Sequence, residues 1–149
     1  MPETDAASTD FASTSLARAA EVPVPEADAI AGRFPLTANP SPVAEDERKA
    51  ILAGLHFGDS FTDHMAHARW KQGEGWGDYG VIPYGNLSLS PATAVLHYGQ
   101  EIFEGIKAYR HDDGSVWTFR PRYNAARLNA SARRLALPEL SEEDFVASL

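Results

Sequence analysis

Between Ile106 and Phe119, polar and apolar residues alternate on either side of a short polar break. IKAYR (106–110) puts Ile106 and Ala108 on one side and Lys107 and Tyr109 on the other, and SVWTF (115–119) alternates likewise. The break, HDDG, ends in Asp113-Gly114, a dipeptide that tolerates the positive φ of a tight hairpin, so the pattern predicts two antiparallel strands. Just upstream, Tyr98 and Ile102 are four positions apart, which is helical spacing. The period therefore changes near Gly105, where a missing side chain lets the backbone bend or something approach closely.

The same reading extends in both directions. Pro121 suits the first position of a helix running to about Leu135, with Leu128, Ala132 and Leu135 as its apolar stripe and Asn124, Arg127, Ser131 and Arg134 as a polar one. Ser141-Glu-Glu-Asp144 resembles a capping box that opens another helix, and the sequence stops about two turns into it, as a fragment boundary would. Toward the N-terminus, Ser41 is a good N-cap, Pro42 suits the next position, and Glu45 and Asp46 favour the positive helix end. Gly54 would stop that helix. Phe61 to Trp70 reads as a strand, KQGEGWGDYG (71–80) as a Gly-rich loop, and VIPYGNLSL (81–89) as a second strand. Strands in hairpins mixed with helices predict an α+β domain, with the hairpins forming a sheet packed against helices. There are no internal repeats.

Residues 1–40 differ in kind. Rich in Ala, Ser, Thr, Pro and acids, they hold six of the acidic residues (Glu3, Asp5, Asp10, Glu21, Glu26, Asp28) against Arg18 and Arg33. Such a segment buries too little apolar surface to offset the entropy of ordering it. It is expected to be a flexible extension, docking only at Phe34-Pro35-Leu36, with the ordered domain spanning 41–149.

Composition narrows function by exclusion. Net charge is −8 with no block of Lys or Arg, so a nucleic-acid partner is not expected. The absence of cysteine rules out disulfides and thiolate metal sites. No apolar run approaches a membrane span, and the acidic MPETDAASTD lacks the apolar region of a secretory signal; a cytoplasmic protein with no membrane partner is expected.

Three local motifs invite chemistry, and each has a plainer explanation. Gly75-Trp-Gly-Asp-Tyr-Gly80 fits GxGxxG, but the dinucleotide fingerprint needs a helix after it, whereas VIPYG follows; a hairpin loop fits better. His64 and His67, beside Asp63, are three apart, and in a strand such positions face opposite ways, so no metal site is expected. No Gly-x-Ser-x-Gly elbow supports a Ser-His-Asp hydrolase. On ordinary grounds Tyr98 and Phe103 are core residues, and Arg127 lies on a solvated helix face.

From about Leu55 onward the sequence resembles the N-terminal part of the branched-chain amino-acid aminotransferases, pyridoxal 5′-phosphate (PLP) enzymes of fold type IV. The resemblance is carried by HFGDSFTDHM (56–65), VIPYGNLSLSPATAVLHYGQEIFEGIKAYR (81–110) and DDGSVWTFRPRYNAARLNASARRLALPEL (112–140), in order and at the right spacing. It implies the small domain of such an enzyme, incomplete at its C-terminus, in a full-length protein that moves an amino group between leucine, isoleucine or valine and 2-oxoglutarate. The resemblance puts Arg127 on the cofactor-phosphate arginine and Phe57, Tyr98 and Phe103 on walls of the substrate side-chain pocket. Lys107 replaces an arginine seen in part of the family and receives no role. The family's cofactor-bearing lysine lies downstream in a larger domain, so this chain holds no catalytic residue of its own; Lys49, Lys71 and Lys107 are outside that motif. The resemblance also implies a homodimer with amino-acid and 2-oxo-acid substrates. Its alternatives are a D-amino-acid transaminase or PLP lyase of the same fold, and a truncated, non-catalytic dimerisation or binding module. One charge-assisted contact from Arg127 supplies roughly 1.5–3 kcal/mol, whereas millimolar binding needs about 4 kcal/mol. The segment alone is therefore expected neither to hold PLP nor to transaminate.

Overall fold

A computed structural model describes Ile30 and residues 32–149. The expectation of a flexible extension falls outside the described residues over 1–29 and at position 31. The described residues divide into two compact units, Gly32–Ser88 and Leu89–Ala147, which contain four helices and two antiparallel strand pairs.

The first unit is a helix beside a hairpin. Helix α1 (Glu45–Ala53) starts three residues later than Ser41-Pro42 suggested, with Ala44 at its N-cap, and it stops at Gly54 as expected. The late start has a tertiary cause. The Asn39 Oδ1 accepts the Ser41 N–H at 2.9 Å, closing a local turn, and the Asp63 Oδ1 accepts the Val43 N–H at 2.9 Å. Both backbone donors are thus committed before the helix begins. The other Asp63 oxygen accepts from Arg48 Nη2 at 2.9 Å, so one carboxylate holds both the approach to α1 and its first turn. Glu45, Asp46 and Glu47 complement the positive end of the helix.

Strand β1 (His64–Lys71) pairs antiparallel with β2 (Gly75–Pro83), with Trp70 opposite Trp76 and His64 opposite Pro83. Residues expected to form a Gly-rich loop are therefore mostly strand, and the turn is confined to Gln72–Glu74. VIPYGNLSL stays in the strand only as far as Pro83. Glycine weight misleads here because Gly73 and Gly75, with φ of 84° each, provide the turn, while Gly80 serves a different purpose. Val81 N–H donates to Pro35 O (3.1 Å) and Thr37 N–H to Val81 O (2.8 Å), giving a parallel bridge between Leu36 and Val81. A Cβ on Gly80 would sit 3.6 Å from Pro35 O and 3.3 Å from the Ile82 side chain, so a bare backbone suits this close approach. The GxGxxG match is thus a strand edge with a bulge at Asp78 (φ 54°), and no helix follows it. Phe34 packs edge-on against Tyr79 at 5.1 Å, and Phe61, expected inside β1, instead stacks on Tyr84 at 4.9 Å.

His64 and His67 have separate structural partners. His64 Nε2 accepts the Asn39 N–H at 3.0 Å, and His67 Nδ1–H donates to Asp78 O at 2.9 Å. Among the described residues no group of three or more His, Asp or Glu could hold a metal ion, and no helix is long and apolar enough to cross a membrane.

The second unit begins with α2 (Ala94–Tyr98), followed by the short hairpin β3 (Ala108–Arg110) and β4 (Val116–Thr118), then α3 (Pro121–Arg134) and α4 (Glu142–Ala147). The Asp-Gly turn forms as expected: Gly114 has φ 85°, and Asp113 Oδ1 accepts the Ser115 N–H and hydroxyl. The two hairpins are separate two-stranded sheets, not one sheet.

The core lies where α3 meets α4. Ala125, Ala126, Ala132 and Phe145 are its buried apolar residues, together with Arg122. The buried face of α3 thus runs through the alanines, and Leu135 of the expected stripe is exposed. Alanine has no side-chain entropy to lose and lets a second helix approach closely. Asn129 bonds both the Leu140 N–H (3.1 Å) and the Leu140 carbonyl (2.7 Å), clamping the connection to α4. Ser141 caps α4 through the Asp144 N–H at 3.0 Å, as the capping pattern suggested. Arg122, 4% exposed, donates to Glu142 at 3.2 Å, with Glu143 at 3.8 Å from its other terminal nitrogen.

Two stability predictions follow from these ion pairs. Glu142→Ala should cost roughly 2 kcal/mol, the typical value of a hydrogen bond to a charged group, because Glu143 retains part of the Arg122 pairing; denaturant titration measures it. The Asp63 carboxyl is held below its ordinary range, chiefly by the Val43 N–H and further by Arg48, against the opposing effect of burial. With the folded pKa below the unfolded one, its stabilisation is complete above the unfolded pKa and is lost as pH falls through the folded value. The melting temperature should therefore fall more steeply in that acidic window for the native sequence than for Asp63→Asn.

Candidate functional site

The side chains with chemical potential in the second unit gather along one side of α3. Helix α2 ends at Gly99, which adopts the left-handed conformation (φ 57°) and returns its N–H to Val95 O. The period change thus occurs at Gly99 and not at Gly105. From Glu101 to Lys107 exposure alternates strictly, with Ile102, Glu104 and Ile106 turned inward and Glu101, Phe103, Gly105 and Lys107 outward. This is extended-chain periodicity. Left-handed backbone is costly for residues bearing a Cβ, so a glycine there marks the corner more reliably than a change in hydrophobic spacing.

Two tethers hold this extended strap on α3. At one end Gln100 Nε2 donates to Leu135 O at 2.9 Å, occupying a carbonyl that the end of the helix leaves open. At the other, Asn124 Nδ2 donates to Gly105 O and to Glu104 Oε1, each at 2.9 Å. Asn124 and the C-cap Leu135 are eleven positions apart along α3, about 16 Å at 1.5 Å per residue. Four extended steps from Gln100 to Glu104 reach at most about 14 Å, and the Gln100 and Asn124 side chains span the remainder.

Glu104 is the centre of the arrangement. Its side chain is 5% exposed, whereas that of Arg127 is 61% exposed. Arg127 Nε donates to Glu104 Oε2 at 2.7 Å, and Arg127 Nη2 donates to Oε1, a two-point pairing. Oε1 also receives the Gly105 N–H at 3.0 Å and the Asn124 amide. Burial pushes the Glu104 carboxyl up, but the bonds from Arg127, Asn124 and Gly105 together outweigh it and hold the group below its ordinary value. The same pairing raises the Arg127 guanidinium further above the pH range in which it could lose its proton.

The residues expected to form the site are placed as follows. Arg127 is on the exposed side of α3, in the polar stripe read from its spacing to Asn124. Tyr98 at the end of α2 is 86% exposed and Phe103 on the strap is 77% exposed, so neither is a core residue. Phe57, 96% exposed, belongs to the first unit. An apolar groove of about 460 Å³ in that unit, lined by Ile51, Leu52, Leu55 and Phe61 among others, contains none of these four. Glu104 escaped the reading of the sequence. The available signal was an acid on the inward side of an alternating segment, which burial demands be paired, next to a helix with an unassigned arginine.

No protein-family model matches the chain. It is 58% identical over 105 residues to a protein of Streptomyces coelicolor named as a probable branched-chain-amino-acid aminotransferase, covering 70% of this chain and 29% of that one. It is 55% identical over 116 residues to the branched-chain-amino-acid aminotransferase of Mycolicibacterium smegmatis, covering 78% and 32%. A Bacillus subtilis protein named branched-chain-amino-acid transaminase 1 is 48% identical over 103 residues, covering 69% and 29%. The chain therefore spans about 30% of the length of the curated relatives it matches. With identity this high across most of its own length, the chain is similar to a part, about 30%, of the branched-chain-amino-acid aminotransferases.

Proposed function

We propose that this chain is the small-domain part of a PLP-dependent, fold-type IV enzyme that transfers an amino group between branched-chain L-amino acids and 2-oxoglutarate. The observation that carries the reading is the 55% identity over 116 residues to an aminotransferase of that name. In the proposal, the lysine that bears the cofactor and the rest of the cleft come from polypeptide outside these residues, and the complete enzyme is a cytoplasmic homodimer.

The chemistry of the donors present fits the phosphate of the cofactor. Arg127 spends Nε and one Nη2 hydrogen on Glu104; the remaining guanidinium donors lie on the exposed side of α3, charged at any working pH. A guanidinium edge matches two phosphate oxygens in spacing and charge. PLP, when bound, supplies the electron sink that allows the amino group to pass between amino acid and 2-oxo acid. The chain's own residues bind and shape. Arg127 would anchor the phosphate, and Tyr98 and Phe103 would form apolar walls against an aliphatic side chain. Each methylene such a wall buries contributes about 0.8 kcal/mol, so it separates leucine from valine only modestly. Large aromatics exposed on this segment suit that role, since an apolar surface of this kind stays in water only until another part of the molecule or a substrate covers it.

The complete protein should form glutamate from L-leucine and 2-oxoglutarate. Inactivity with L-leucine alongside turnover of D-amino acids, or elimination without a 2-oxo acid, would replace the proposal by another reaction of the same cofactor. Phe103→Ala should lower leucine turnover while changing stability by less than about 0.5 kcal/mol, as expected for an exposed position; kinetics beside thermal melts check both halves. Arg127→Ala should weaken PLP binding by about tenfold to a hundredfold, the loss of one charge-assisted contact, with the fold intact by circular dichroism. Unchanged affinity in a cofactor titration removes Arg127 from the site.

A further inference from the structure

We propose that Glu104 is the positioning residue for Arg127, fixing one edge of the guanidinium so that its opposite edge is aimed at a phosphate monoester. The inference rests on the reading of Arg127 given above and deepens it.

Exposure distinguishes this pair from an ordinary surface ion pair. In a surface pair both partners are wet and the geometry is loose, and the pair contributes little. Here the acid is 5% exposed and the arginine 61%. The acid also has partners other than the arginine: Oε1 takes the Gly105 N–H and the Asn124 amide, and the Asn124 amide also ties down the Gly105 carbonyl. The carboxylate is a fixed part of the strap, and the guanidinium is docked to it.

Which guanidinium atoms are used decides what remains. Glu104 takes the edge formed by Nε and Nη2. Of five N–H donors, the two on Nη1 and the second on Nη2 are left, and these form the other bidentate edge of the planar fork. Two-point attachment stops rotation about the last side-chain bond, so the open edge has one direction. An arginine free to sample its rotamers would lose that freedom on binding phosphate; Glu104 removes the loss in advance.

Glu104 also has an opposing effect. Its negative charge lies beside the phosphate position and weakens the attraction felt there. Positioning and charge dampening thus predict opposite results on removal of the carboxylate, which makes the assignment testable.

The test uses the complete protein and two probes, PLP and pyridoxal, which lacks the phosphate. Dissociation constants are measured by absorbance for the native protein, Glu104→Gln, Arg127→Ala and the double variant, with melting temperatures of each cofactor-free form. Glutamine keeps the shape and one acceptor but cannot accept from both guanidinium nitrogens. Glu104→Gln should weaken PLP about tenfold, leave pyridoxal within about twofold, and add nothing in the Arg127→Ala background. PLP binding equal to or tighter than native in Glu104→Gln, or an equal loss for both probes, overturns the positioning role. A selective loss of PLP in Arg127→Ala without one in Glu104→Gln sinks this inference alone. No selective loss in Arg127→Ala sinks the reading of Arg127 beneath it. A measurement on the native protein stands even if Glu104→Gln does not fold: the Arg127 Nε–H resonance should stay protected from exchange when PLP is added. Its release into fast exchange overturns the proposal.

Discussion

A carboxylate turned inward beside a helix is the constraint on which the second unit depends. An unpaired, nearly buried charge is unfavourable by several kcal/mol, and Glu104 avoids this only by collecting donors from three places: Gly105, Asn124 and Arg127. Satisfying it fixes the end of the strap on α3, sets the inward and outward alternation of residues 101–107, and turns Phe103 outward. Gln100, bonded to the end of α3, fixes the other end of the strap. The polar contacts thus provide direction where apolar packing alone would leave the strap free to slide.

The apolar core that accompanies this network is small. The buried apolar side chains among the described residues are three alanines and one phenylalanine. Leu87, Leu89, Leu96, Tyr98, Phe103, Trp117 and Phe119 remain largely exposed. A chain of this size ordinarily buries more. The chain spans about 30% of the length of the relatives it matches. The polar clamps, Asp63 on α1, Asn129 on the α4 connection and Glu104 on α3, carry a correspondingly larger share of local order.

Much of the element order was legible in the residues. The Asp113-Gly114 turn, Pro121 at the head of α3, Gly54 at the end of α1 and Ser141 as a cap follow from φ preferences and from donors that lie within a few residues of their acceptors. Two of the failures share one cause, a partner distant in sequence. Ser41 lost the helix start because Asp63, twenty residues beyond Val43, took the Val43 N–H. Gly75 to Gly80 read as a loop because the segment at Pro35 that approaches Gly80 cannot be seen from the glycines themselves. Tyr98 and Phe103 read as core because size and hydrophobicity report a tendency to be covered, not what covers them.

The sequence by itself determined the local turns and caps, the α+β mixture of elements, the candidate arginine on the polar face of its helix and, through the matched segments, the likeness to branched-chain-amino-acid aminotransferases. Only the tertiary structure decided which way that arginine is held, that an unremarked glutamate holds it, and that the aromatics face outward. Caps and turns are settled by a residue's own dihedral preferences and near neighbours. A buried charge is settled by whichever donor the fold brings to it, and Arg127 lies twenty-three residues from Glu104 along the chain.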